Sequence, residues 1–92
     1  MSLAKDATPV LKAADMPEEL QYNVFELAGK FSQEHQLEKD IAQLLKKALD
    51  EEYGHTWHVI VGNSFGSYVT HEMGFFVYFY IGPKAFLCYK SG

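Results

Sequence analysis

Apolar residues recur along this chain with two different periods, and the change of period divides it. Leu20, Val24, Leu27, Ala28 and Phe31 fall at helical spacing, so the pattern predicts an amphipathic helix reaching about His35. Asp15 reads as its N-cap, Glu18 completes a capping-box-like pattern, and Pro17 sits in the permissive first turn. Gly29 lies inside the stripe, at a cost of about 1 kcal/mol relative to Ala. A second stripe, Ile41, Leu44, Leu45, Ala48 and Leu49, predicts a helix from about Glu38, closed by Tyr53-Gly54. Lys39, Lys46, Lys47, Asp50 and Glu51 fall largely on its other side. Gln36 is a poor cap, so the orphan N–H groups at this helix start need another acceptor.

After Gly54 the period drops to two. Trp57, Val59 and Val61 share one face of a predicted strand. Phe65, Ser67, Val69 and His71 share one face of a second, with Gly66, Tyr68 and Thr70 on the other. Phe75 to Ile81 is unbroken aromatic and β-branched sequence, as in a strand buried on both faces. Lys84 to Lys90 reads as the last strand, with Ala85, Leu87 and Tyr89 opposite Phe86 and Cys88. Gly62-Asn63-Ser64, Met73-Gly74 and Gly82-Pro83 supply the turns. Pro9 to Ala13 adds a short edge strand ahead of the helices. The predicted fold class is α+β, two helices packed on an antiparallel sheet, with residues 1–8 a flexible polar N-terminus and 9–92 one domain. The segment Phe65 to His71 alternates apolar with small hydroxyl residues and carries no Lys to blunt an edge. It is therefore expected to pair with something outside its own sheet.

Composition narrows the function. A chain of 92 residues with 48% hydrophobic and 15% aromatic content predicts a packed globule small enough to complete its core by oligomerising. A net charge of −4 without a basic run argues against nucleic acid as a partner. The single Cys88 excludes an intrachain disulfide and fits a reducing compartment. No apolar run approaches the ~20 residues of a membrane span, and the N-terminus lacks a signal-peptide core. The expectation is a cytosolic protein without a membrane partner.

Four histidines raise the question of catalysis. His55 and His58 have an H-x-x-H spacing, but residues three apart on a strand point to opposite faces, and no supporting ligands lie nearby. Cys88 has no base oriented toward it and reads as a small buried thiol. Gly62-Asn63-Ser64-Phe65-Gly66 imitates a phosphate loop without a following helix. No metal, no cofactor and no enzymatic activity are expected.

The run FGSYVTHE, preceded by TWH and followed by FVYFYIG and KSG, resembles the small hub-type light chain of the dynein motor. ADMPEE, LEKDIA and KK match the same family in the same order, so the resemblance covers about Val10 to Gly92. It implies a strand-swapped homodimer, in which the segment matching Phe65 to Thr70 joins the partner's sheet. It also implies a peptide groove. Phe65, Gly66, Ser67, Tyr68, Val69, Thr70 and His71 would form the strand along which a target lies, Phe76, Tyr78 and Tyr80 the floor. Glu38 and Lys39 would face a glutamine of a Thr-Gln-Thr core. His58, Tyr68, Thr70 and Ser91 match interface positions, with His58 close to its symmetry mate, so that acid would split the dimer. Phosphorylation of Ser91 would add charge near the same axis.

The implied function is a non-catalytic peptide-binding hub of the microtubule-associated dynein complex, located in the cytoplasm and cytoskeleton. Its implied partners are the dynein intermediate chain and other proteins with short disordered motifs. Two further readings remain: a specialised axonemal or outer-arm light chain, and a structural dimerisation subunit whose groove is permanently occupied. The chain departs from the family's usual sequence where Asn63-Ser64 replaces an Arg-Asn pair, where Phe75 replaces a common His, and at the turn Met73-Gly74. Loss of the Arg weakens attraction to acidic peptide flanks.

Overall fold

The computed structural model describes residues 8–63 and 75–91. Within them the chain forms strand β1 (Pro9–Asp15), helices α1 (Glu18–Glu34) and α2 (Glu38–Tyr53), and strands β2 (Trp57–Gly62), β3 (Phe76–Ile81) and β4 (Lys84–Lys90). The strands make one antiparallel sheet in the order β1-β3-β4-β2. The predicted strand from Phe65 to His71 lies outside the described residues.

The α+β expectation is met by both helices lying on one face of this sheet. Leu20, Val24 and Ala28 of α1 and Ile41, Leu45 and Leu49 of α2 are buried against Trp57, Val77, Phe79, Ile81, Phe86 and Cys88. Phe79 and Phe86, paired across β3 and β4, stack with ring centroids 5.0 Å apart, and the edge of Phe25 meets Phe79 at 4.8 Å. Phe76, Tyr78, Ala85 and Leu87 form a separate buried cluster on the opposite face, with Ala13, Tyr80 and Tyr89 packed around it. The alternation read in Lys84 to Lys90 thus assigns both faces of β4 correctly, and the unbroken run in β3 is buried on both faces as expected.

Three boundaries differ from the sequence reading. Asp15 does not cap α1; it closes β1, paired with Phe76, and the N-cap position is Pro17, which makes no side-chain cap. The backbone of Asp15 is committed to the sheet, so the helix starts two residues later than a capping box requires. Gln21 Nε2 instead donates to the Met16 carbonyl at 2.9 Å, tying the helix to the turn before it. β1 also runs beyond Ala13, with a bulge between Leu11 and Ala13. β3 begins at Phe76 rather than Phe75, whose φ of 40° is unfavourable for a residue with a Cβ.

The end of α2 follows expectation. Gly54 has a φ of 83° and its N–H donates to the Asp50 carbonyl at 3.0 Å. Gly29 is the opposite case, a helical glycine where an added Cβ would meet nothing within 4 Å. Gly29→Ala is therefore expected to raise stability by about 1 kcal/mol, and Gly54→Ala to lower it by a similar ~1 kcal/mol. Urea denaturation of the two variants should shift the midpoint in opposite directions; a lowered midpoint for Gly29→Ala would contradict the first assignment, and a raised one for Gly54→Ala the second.

Candidate functional site

The predicted site residues within the described chain fall in three places: the start of α2, the sheet face away from the helices, and the β2 edge. Glu38 and Lys39 open α2. Leu37 occupies the N-cap position and supplies no side-chain cap, although its carbonyl accepts from the N–H groups of Asp40 and Ile41, each at 3.1 Å. The N–H groups of Glu38 and Lys39 have no acceptor among the described residues, which is the arrangement expected of a start that lacks a good capping residue. Leu37 itself is 60% exposed. The Glu38 carboxylate meets Lys84, at the start of β4, with Nζ 3.6 Å from Oε2. Lys84 is not among the site residues that the sequence predicts. No local pattern signals it, because the pair joins residues far apart in the chain.

Phe76, Tyr78 and Tyr80 share the sheet face away from the helices. Phe76 and Tyr78 are buried and Tyr80 is half-buried. The Tyr78 and Tyr80 hydroxyls lie 3.5 Å apart, and Lys12 sits 5.5 Å from the centre of the Tyr80 ring. The contact with the Tyr80 hydroxyl, reinforced by burial, holds the Tyr78 pKa above the usual tyrosine value. Phe65, Gly66, Ser67, Tyr68, Val69, Thr70 and His71 lie outside the described residues, so the groove's predicted strand does too.

The remaining residues lie at the β2 edge. His58 on β2 pairs with Tyr89 of β4, and the two rings stack at 4.9 Å. Its Nε2 lies 2.9 Å from Ser91 Oγ. The Ser91 N–H donates to the Thr56 carbonyl at 3.0 Å, which fastens the residue after β4 beside β2. His58 and Ser91, placed in one predicted interface, are thus brought into direct contact. β2 ends the sheet on this side: among the described residues it pairs only with β4, and Ile60 on its outer face is 46% exposed. An unpaired strand edge presents free N–H and C=O groups to an incoming strand.

What sets the position of β2 is Asp50, another residue to which the sequence alone assigns no role. Its Oδ1 accepts from the Trp57 N–H at 2.9 Å, and its Oδ2 accepts from Lys46 Nζ at 2.6 Å. His55 Nδ1 lies 3.5 Å from the same Oδ2. The Lys46 hydrogen bond, outweighing the opposing effect of burial, keeps the Asp50 carboxyl below its ordinary value. His55 thereby faces α2 while His58 faces Ser91, so the H-x-x-H pair is not brought together. Cys88 is buried, and burial pushes its thiol far above the normal range, as an inert core thiol requires.

The model for dynein light chain type 1 matches residues 8–91. The chain is 62% identical over 88 residues to the Debaryomyces hansenii protein named dynein light chain 1, cytoplasmic, covering 96% of this chain and 97% of that one. It is 53% identical to the protein of the same name from Saccharomyces cerevisiae, covering 99% of each. Among solved structures, the dynein light chain-like domain of the Fasciola hepatica calcium binding protein FhCaBP2 superposes with a TM-score of 0.80 over 92% of each chain. At 24% identity that likeness concerns the fold alone.

Asp50 supplies a pH-dependent prediction. Its depressed folded-state pKa means that it stabilises the fold above the unfolded value near 3.8, and that this contribution is lost as pH falls through the folded value. Asp50→Ala is expected to cost about 1–3 kcal/mol at pH 6, because the Trp57 N–H loses its acceptor. Asp50→Asn, which keeps an acceptor oxygen, is expected to cost less. Urea denaturation at pH 6 and pH 3 should show the Asp50→Asn deficit shrinking at the lower pH; a constant deficit would contradict the assignment.

Proposed function

This chain belongs to the dynein light chain type 1 family, and from that premise we propose that it is a non-catalytic, homodimeric subunit of a cytoplasmic dynein complex that binds short linear peptides. The reading is carried by 62% identity across nearly the full length of a protein named as a cytoplasmic dynein light chain. The geometry supports it in three places. The edge of β2, which among the described residues pairs only with β4, suits the addition of a strand from a second copy, and the aromatic face of β3 carries Phe76, Tyr78 and Tyr80. The uncapped start of α2 offers two N–H donors to a side-chain carbonyl of a bound target.

In this proposal Phe65 to His71 receives an extended peptide by β-strand addition, and Glu38 and Lys39 meet its glutamine. A dimer would hold two partner chains side by side, so that two weak contacts act together on a bivalent target. The dynein intermediate chain is the first partner proposed, with other proteins carrying Thr-Gln-Thr segments. His58 and Ser91 are assigned to the dimer interface. Association with microtubules is proposed to follow from membership of the motor complex.

Two measurements test the proposal. A peptide with a Thr-Gln-Thr core is expected to bind in titration calorimetry, and its Gln→Ala version to bind more weakly by about 1–3 kcal/mol. Absence of binding at millimolar peptide would sink the peptide-binding reading. In sedimentation at neutral pH the wild type is expected at twice the chain mass, whereas His58→Lys, which places a permanent cation beside its symmetry mate, is expected to be monomeric. A dimeric His58→Lys would remove His58 from the interface; a monomeric wild type would remove the dimer itself.

A further inference from the structure

We propose that Lys84 widens selectivity at the start of α2, so that a bound peptide can present either a glutamine or a glutamate side chain there. The inference rests on the peptide-binding reading above and concerns which side chain that site takes.

The start of α2 attracts an acceptor oxygen whether it is neutral or charged. The N–H groups of Glu38 and Lys39 are unpartnered among the described residues, and the helix dipole adds partial positive charge at this end. Taken alone, these donors favour a carboxylate over an amide. The carboxylates of Glu38 and Asp40 in the same turn oppose it. With Glu38 uncompensated, a peptide glutamate would meet like charge, and a primary amide would be preferred because its N–H can donate to Glu38.

Lys84 changes that balance. Its ammonium lies 3.6 Å from Glu38 Oε2, and its side chain is only 26% exposed. The position is held by the fold: Lys84 pairs with Ile81 across the tight turn at Gly82, where φ is 60°. The cation therefore stands beside Glu38 before any peptide arrives, offsetting its charge while Glu38 Oε1 stays available to an amide donor. Glutamine keeps its partner, and glutamate loses most of the repulsion.

The test uses three peptides with identical flanks and Thr-Gln-Thr, Thr-Glu-Thr or Thr-Ala-Thr cores. Each is titrated at neutral pH and low ionic strength into the full-length wild type, Lys84→Leu and Lys84→Arg. The wild type is expected to bind the Gln and Glu peptides within about tenfold of each other, both more tightly than the Ala peptide. Lys84→Leu is expected to weaken the Glu peptide by about threefold to fivefold while leaving the Gln peptide nearly unchanged, the size expected of a partly exposed charge pair. Lys84→Arg is expected to keep the wild-type ratio. An equal Gln-to-Glu ratio in the wild type and Lys84→Leu would overturn the role of Lys84 while leaving peptide binding intact. If the Ala peptide binds as tightly as the other two, the start of α2 is not a reading site and the inference fails there. If the wild type binds none of the three, the peptide-binding reading itself fails.

Discussion

The β3–β4 hairpin carries apolar side chains to both faces of a sheet whose helices, among the described residues, lie on one. Phe76, Val77, Tyr78, Phe79 and Ile81 of β3, and Ala85, Phe86, Leu87 and Cys88 of β4, are all buried. Each buried apolar surface contributes about 25 cal/mol per Å² withdrawn from water, so a small chain gains from covering both faces. α1 and α2 serve the first, with Val24, Ala28, Ile41, Leu45 and Leu49 wholly buried against it. Among the described residues the second is built from strand residues, with Ala13 of β1 and Tyr89 of β4 at its margins. The bulge in β1 falls just before Ala13, where the register shift lets Ala13 pair with Tyr78 and reach that layer.

Around this core, polar side chains act at the ends of strands. Asp50 joins the end of α2 to the first residue of β2, Lys84 joins the β3–β4 turn to the start of α2, and Ser91 joins the residue after β4 to His58. Asn23 of α1 likewise bonds Glu52 and Tyr53 at the end of α2. The exposed ion pairs among them contribute little stability, and the Asp50 acceptor, which satisfies the Trp57 N–H, contributes more. Their shared effect is positional. They set which edge of β2 is presented, and which charges stand beside the uncapped helix start.

Much of this arrangement was legible in the sequence. The stripes at Leu20 to Phe31 and Ile41 to Leu49 identified both helices, because a period of 3.6 admits one buried face. The alternation in Lys84 to Lys90 separated Phe86 and Cys88 from Ala85, Leu87 and Tyr89, because neighbouring strand residues point to opposite sides. Gly54 ended α2 as composition predicts, since its φ of 83° suits a residue without a Cβ. Family membership was legible as well, from the run around FGSYVTHE and its flanks.

How the elements meet was decided only by the tertiary structure. Asp15 carries a good capping side chain, yet its backbone is taken by the ladder to Phe76, and sheet pairing overrode the local signal. The order β1-β3-β4-β2 places β2 at an edge and β3 in the interior, which periodicity cannot express because it reports faces and not neighbours. The roles of Asp50, of Lys84 and of the His58–Ser91 pair arise in the same way, from residues that the folded chain brings together in space. A local pattern specifies what a segment can form and which side it buries; which charges and edges then meet depends on how the helices and the hairpin pack.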